Sequence, residues 1–429
     1  MRVLVLGGYG LIGGYVVAAL AAAGHEVIGA GRDIRLATIR YPQAAWRRAD
    51  LARFKAKDWA PLLEGIEAIV NCAGALQDNP RDDLQSLHVS GLITLARAAP
   101  TAGVSRLVHI SAAGMAGAPG DFGRTKLEAE AALAAETIAW TILRPGLVLA
   151  PAAFGGSALL RGLAGLPLVI PAVYPDSLIQ VVSVEDVADA VRLALAPDAP
   201  RRVAIDLVSV EVYPLRDILM RLRAWMGFTP APLLTLPPAL ATLSAKGADA
   251  LAWLGWRSPM RSTAIVQLRH GVRGEANEAA VLPGLRIRSL AQILSASPSG
   301  VQERWFARLY FLKPLGLATL CLFWLTSGLG GLLRLDQAEL VLTTAGFPVA
   351  PAKVAVLGGA TADILLALLV CHRRTAWAAL RGMIAVSSAY LAGASIWRPD
   401  LWADPLGPMI KVLPSIILAL MLLAVMEER

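Results

Sequence analysis

The sequence predicts an α/β doubly wound parallel sheet followed by an all-α transmembrane four-helix domain, and three observations carry that prediction. The first thirty-odd residues read as strand, glycine turn, amphipathic helix and second strand. The apolar fraction of 56% and the mean hydropathy of +0.57 exceed what an ordinary soluble domain carries. Four apolar runs, each close to the roughly 20 residues that cross a bilayer, fill the last quarter of the chain. At 429 residues the chain is too long for one ordinary domain. We divide it into a nucleotide-binding region (1–210), a helical substrate-side and linker region (211–300) and a membrane region (301–429).

Charge and cysteine usage narrow the classes. The net charge of +8 is spread over scattered Lys and Arg, many of them next to apolar spans, so nucleic acid is not the expected partner and membrane lipid is. Cys72, Cys321 and Cys371 lie far apart in sequence with no metal-ligand spacing, so no metal is expected and a reducing compartment suits them. Arg2 and the apolar stretch after it could pass for a signal peptide. Glycines at a spacing of three argue instead for a strand, a turn and a helix that stay in the cytoplasm.

In order along the chain, "RVLVLGGYGLIGGYVVAALAAAGHEVIGAGRD" opens a βαβ unit. Gly7, Gly10 and Gly13 let a dinucleotide pyrophosphate approach the backbone and the helix N-terminus at Leu11 and Ile12, where a Cβ would block it. Strand two ends at Arg32, with Arg35 nearby, where an NAD site would carry an acidic residue. That favours the 2′-phosphate of NADP, and NADPH over NADH. The alternative is a solvated Arg32, with Asp33 serving the ribose.

Four later segments fall in family order. "RRADL" (47–51) and "AIVNCAG" (68–74) end strands three and four, "RLVHISAAG" (106–114) is strand five, and "TILRPGLVL" (141–149) is strand six. With "IQVVSVEDVADAV" (179–191) they resemble extended and atypical short-chain dehydrogenase/reductases, which have a Rossmann fold. The resemblance implies that Asp50, Leu51, Cys72, Ala73 and Gly74 line the adenine and ribose side. It also implies that Pro145 and Gly146 approach the nicotinamide, and that Ser111 and Lys126 are the catalytic Ser and Lys. The family's Tyr-x-x-x-Lys is broken, because Phe122 stands four residues before Lys126. Loss of a general acid costs roughly 10² to 10⁴ in rate. An acceptor that is already electrophilic, such as a quinone, tolerates the loss best. Asp121 and Ser111 are the nearest polar candidates in sequence, and His88 and His109 are read as ordinary fold residues.

"YPLRDILMRLRAWMGF" and "PPALATLSAKGADALAWLGW" read as helices closing the substrate side. Arg257, Arg261, Arg269, Arg273, Arg286 and Arg288 follow, either as a solvated face or as contacts to anionic headgroups, and "SASPSG" (295–300) reads as a linker. Spans are expected at 314–333, 353–371, 377–397 and 409–426. "RPDLWADPLGPMIKVLP" (398–414) resembles the segment before helix four of the DoxX-like membrane family. Arg304, Arg308, Lys313, Arg373, Arg374, Arg381 and Arg429 fall on one side, and Arg334, Lys353, Arg398 and Lys411 on the other. The larger set places both termini and the nucleotide domain in the cytoplasm, at the cell inner membrane. Asp363, in mid-span, lines a polar pocket or links helices by hydrogen bonds, with Ser387, Ser388 and Tyr390 at similar depth.

Two functions fit. One is a membrane-anchored NADP(H)-dependent oxidoreductase reducing a lipid-soluble acceptor. The other is a non-catalytic NADP(H)-binding protein resembling the nucleotide-binding accessory subunit of respiratory complex I. A nucleotide-sugar epimerase or dehydratase ranks last, since it needs the missing Tyr.

Overall fold

The computed structural model describes residues 1–42, 44–78, 83–256 and 258–426. They form two compact units, Met1–Asp249 with Ser258–Ala307, and Ala250–Arg257 with Arg308–Arg429.

The first unit is built on seven strands: β1 (Arg2–Leu6), β2 (Glu26–Gly31), β3 (Ala45–Arg48), β4 (Ala68–Asn71), β5 (Arg106–Ile110), β6 (Ala139–Pro145) and β7 (Val203–Leu207). All pair in parallel, in the order β7-β6-β5-β4-β1-β2-β3. Strand β1 shows why the sheet is covered twice. Its Leu4 and Leu6 enter one core with Trp59, Leu92 and Leu133, while Val3 and Val5 enter the opposite core with Val16, Val17 and Val187. A strand buried on both faces reads as a continuous apolar run, as "RVLVL" does.

Helices α1 (Leu11–Ala22) and α7 (Val184–Ala194) supply the second core; α3 (Ala56–Leu63), α4 (Gly91–Thr101) and α5 (Asp121–Ala134) supply the first. The short α2 (Ile34–Arg40) joins β2 to β3. Strand order reverses between β1 and β4, which opens a crevice at their carboxyl ends. A π-helical turn, Gln85–Ser90, leads into α4 and holds His88.

A third core lies beside the sheet. It joins Leu160 of α6 (Gly155–Ala164) to Ile218 and Leu222 of α8 (Leu215–Trp225) and to Ile293 of α11 (Leu290–Ala296). Much of the 211–300 region therefore packs into the first unit, with α9 (Pro238–Trp253) and α10 (Ser262–His270) as its remaining helices. The expected linker is partly helical, since α11 runs into its first two residues.

The second unit is helical: α12 (Val301–Leu333), counted here from Arg308, then α13 (Leu335–Thr344), α14 (Val349–Cys371), α15 (Ala376–Trp397) and α16 (Leu413–Ala424). Among the described residues, three helices (α12, α14 and α15) are long and apolar enough to cross a membrane. The expected fourth span is shorter. Lys411 sits in a 3₁₀ turn (Ile410–Val412), Pro414 opens α16, and at 1.5 Å per residue the 12-residue helix falls short of the roughly 30 Å hydrocarbon core. Helix α13, polar at Asp336 and Glu339, was not foreseen.

Candidate cofactor site and its surroundings

Strand β1 delivers Gly7 to the crevice with φ +68°, a left-handed conformation that favours glycine. A Cβ on Gly7 would stand 2.8 Å from the Ala73 nitrogen, so the two strand ends close on each other only because Gly7 has none. A Cβ on Gly13 would overlap the Gly7 carbonyl. Gly10 caps α1 without a side-chain acceptor, so the first-turn N–H groups of Leu11, Ile12 and Gly13 face the loop with no intrahelical partner. This cradle fits a pyrophosphate.

Arg32, just past β2, and Arg35, in the first turn of α2, are both exposed. Sequence reading passed over Tyr9. Its hydroxyl accepts the N–H of Arg32 at 3.2 Å and of Asp33 at 3.3 Å, and its ring lies against Gly31. Residues between glycines carry no periodic signal, so only the fold shows that this loop reaches β2. Asp50 is half-buried and pairs with Arg53 at 3.8 Å; Leu51 is buried, and its carbonyl leaves no room for a Cβ on Gly91.

The turn after β4 is pinned at three of its residues. The Cys72 N–H donates to the Leu6 carbonyl at 3.0 Å, the Ala73 N–H to Asn71 Oδ1 at 3.1 Å and the Ala75 N–H to His88 Nε2 at 3.3 Å. The Thr125 hydroxyl donates to the Asp121 carbonyl at 2.7 Å and so accepts from His88 Nδ1 at 2.9 Å, which fixes the imidazole tautomer. Burial, with Lys126 nearby, pushes His88 down to about 3. His88 is thus a neutral brace for the turn, in keeping with its reading as a fold residue. His109 is also buried, and its Nδ1 lies 3.2 Å from the Asn71 amide.

Lys126 is 5% exposed and donates to the Ile110 carbonyl at 3.1 Å. A Cβ on Gly74 would lie 3.7 Å from both Lys126 Nζ and His88 Nε2, so the Lys stands at the β4 turn and is not a surface residue. Burial pushes its pKa down to about 8, against the pull of Glu130 and Cys72. Phe122 meets the edge of His88 at 5.9 Å between centroids. Asp121 does not enter the site; it is exposed and pairs with Arg124 at 3.2 Å.

Ser111 is buried, and its hydroxyl is bound to the Glu130 carboxylate. Glu130 also receives both Arg144 Nη2, at 2.6 Å, and Nε, at 2.9 Å, and Arg144 reaches Asp206 at 3.5 Å. Glu130 lies four residues after Lys126, on the same helical face, a spacing that could have pointed to it. The Pro145 carbonyl accepts the Ala113 N–H at 2.9 Å, and a Cβ on Gly146 would stand 2.6 Å from the Gln180 carbonyl. The structure therefore brings Gly7, Ala73, Gly74, Phe122 and Lys126 to one crevice, with Arg32 just past β2 and Arg35 at the start of α2.

Of the basic stretch, Arg261 pairs with Asp249 at 3.0 Å and Arg288 with Asp186 at 2.7 Å, so both have partners within the fold. Arg269, Arg273 and Arg286 are exposed. Arg257 and Arg429 lie outside the described residues. In the second unit Asp363 is buried; its carboxylate accepts the Ser327 hydroxyl at 2.7 Å and the Tyr390 hydroxyl at 3.0 Å. Three helices are thereby linked, and a Cβ on Gly328 would meet Asp363 and the Ala360 carbonyl.

Residues 7–165 match a family described as NAD(P)H-binding, and residues 321–420 match the DoxX-like family. The N-terminal part is an NAD(P)-binding Rossmann domain, and the C-terminal part is a DoxX-like domain with apolar helices suited to a membrane. No curated protein matches the chain. Among solved structures, the NADPH-dependent quinone oxidoreductase QOR2 of Escherichia coli is similar at 19% identity and a TM-score of 0.52, covering 68% of this chain and 98% of its own. The Citrobacter sp. triphenylmethane reductase complexed with NADP(H) is similar at 18% identity and a TM-score of 0.53, covering 69% and 100%. These likenesses are ones of fold.

Proposed function

We propose that the chain is a membrane-anchored, NADPH-dependent reductase whose acceptor is lipid-soluble and already electrophilic, with a quinone as the leading class. The observation that carries this reading is the pairing of a buried Lys126 with Phe122. The group that would hold the nicotinamide ribose is in place, and the usual phenol is replaced by an apolar ring. When bound, the nicotinamide supplies a hydride. The Gly7–Gly13 cradle would hold its pyrophosphate, Arg32 and Arg35 would favour a 2′-phosphate, and Lys126 would orient the ribose. The acceptor then needs positioning more than protonation.

The nucleotide domain and both termini lie in the cytoplasm in this reading, with the helical unit in the inner membrane. Its support is the larger number of Arg and Lys on the side of the apolar helices that carries Arg308, Lys313, Arg373, Arg374 and Arg381. The competing reading, a protein that holds NADP(H) without turning it over, is favoured by one observation: the Ser111 hydroxyl is committed to Glu130.

The test uses the full chain in lipid nanodiscs, loaded with NADPH and given quinones and then a membrane-lipid extract, with nicotinamide absorbance followed in the native protein and in Lys126→Ala. Oxidation that falls at least tenfold in the variant supports the reductase. NADPH that stays bound and reduced with every acceptor supports the holding protein.

A further inference from the structure

The segment that follows the last turns of α9 is held to the helices of the second unit at one end of α14. The Leu254 carbonyl accepts the Arg373 N–H at 3.0 Å, and Trp256 Nε1 donates to the Cys371 carbonyl at 2.7 Å, satisfying a carbonyl that α14 leaves without an intrahelical partner. Gly255, at φ +85°, makes the turn between these two contacts, and the Arg373 guanidinium lies 5.7 Å over the Trp256 ring. Trp256 packs against the core of the unit.

Three large apolar side chains beside these contacts stay uncovered: Leu251 at 48%, Trp253 at 73% and Leu254 at 38% exposure. They fall within four consecutive positions and stand level with the end of an apolar helix of 23 residues, next to Arg373 and the exposed Arg374. Such side chains cost free energy in water and gain it at the boundary between headgroups and acyl chains, where Trp is enriched and Arg meets anionic headgroups.

We propose that residues 250–256 are an in-plane membrane anchor: Leu251, Trp253 and Leu254 enter the leaflet at the level where α14 ends, while Arg373 and Arg374 lie over anionic phospholipid. Two features argue for lipid as the occupant. The segment is continuous in packing with helices suited to a bilayer, and its apolar side chains stand beside cationic ones. The inference rests on the reading that α14 crosses a bilayer, which the same experiment tests separately.

The full chain is prepared in nanodiscs containing anionic phospholipid with the photoreactive p-benzoylphenylalanine at one position at a time: Trp253, Leu365 on the exposed face of α14, or Leu168, which is 79% exposed in the first unit. Retained NADPH binding shows that the first unit is folded, and an unchanged melting temperature of the full chain shows that the second is. Irradiation followed by mass spectrometry counts lipid adducts. The anchor predicts adducts at 253 within about twofold of those at 365 and at least tenfold above those at 168. Adducts at 365 with none at 253 overturn the anchor, and none at 365 overturns the membrane reading and the anchor with it.

Discussion

Lys126 carries a free-energy penalty that its titration should reveal. Its ordinary pKa of 10.5 is pushed to about 8 in the folded protein, chiefly because burial removes water from the ammonium. A shift of that size corresponds to about 3 kcal/mol, taken as an order of magnitude. The sign follows from proton counts. Below pH 8 the Lys is charged in both folded and unfolded chains, and the full penalty is present. Between pH 8 and 10.5 the folded protein has released the proton while the unfolded chain still holds it, so unfolding free energy rises with pH. Above 10.5 the penalty is gone.

Lys126→Met removes the titration and fills the same volume, at the cost of the hydrogen bond to the Ile110 carbonyl, roughly 1 kcal/mol. Unfolding of the nucleotide-free protein, followed from pH 7 to 10.5, should show the native chain gaining about 3 kcal/mol relative to the variant. The pH dependence of acetylation of the Lys126 peptide should report a midpoint near 8. A native–variant difference that stays flat across this window, with ordinary Lys reactivity, would refute the argument that Lys126 is buried at the β4 turn.

Two further outcomes are expected. Arg32→Ser should weaken NADPH binding by about one to two decades, from the roughly 1.5–3 kcal/mol of a charge-assisted bond, and leave NADH binding nearly unchanged; equal losses for both nucleotides in titration calorimetry would remove Arg32 from the 2′-phosphate. Asp363→Ala should lower the melting temperature of the full chain by several degrees, because it leaves the Ser327 and Tyr390 hydroxyls without their acceptor at roughly 1–3 kcal/mol. Asp363→Asn keeps an acceptor and should lose less; equal losses for the two variants would show that the hydroxyl bonds do not matter.

Much of this molecule was legible one element at a time. "RVLVLGGYG" has the composition of a strand buried on both faces followed by a turn that admits no side chain, and both requirements are local. The same holds for the apolar runs that became α12, α14 and α15, since length and hydropathy are properties of a segment. The fourth run became a shorter helix, because Lys411 falls in a 3₁₀ turn before it and Pro414 opens it.

Which side chains meet across elements was not legible. Tyr9 binds the backbone after β2, Ser111 is tied to Glu130, Ser327 joins Tyr390 on Asp363, and Trp256 holds the end of α14. Sequence spacing places a residue on a face of its own helix or strand. The register between elements, set by how their apolar faces pack, decides what that face touches. The sequence by itself thus determined the two-faced sheet, the glycine cradle and the apolar helices, because each follows from local sterics and hydropathy. The tertiary structure alone decided that Lys126 is buried and Ser111 engaged, because those states depend on neighbours that packing brings from distant parts of the chain.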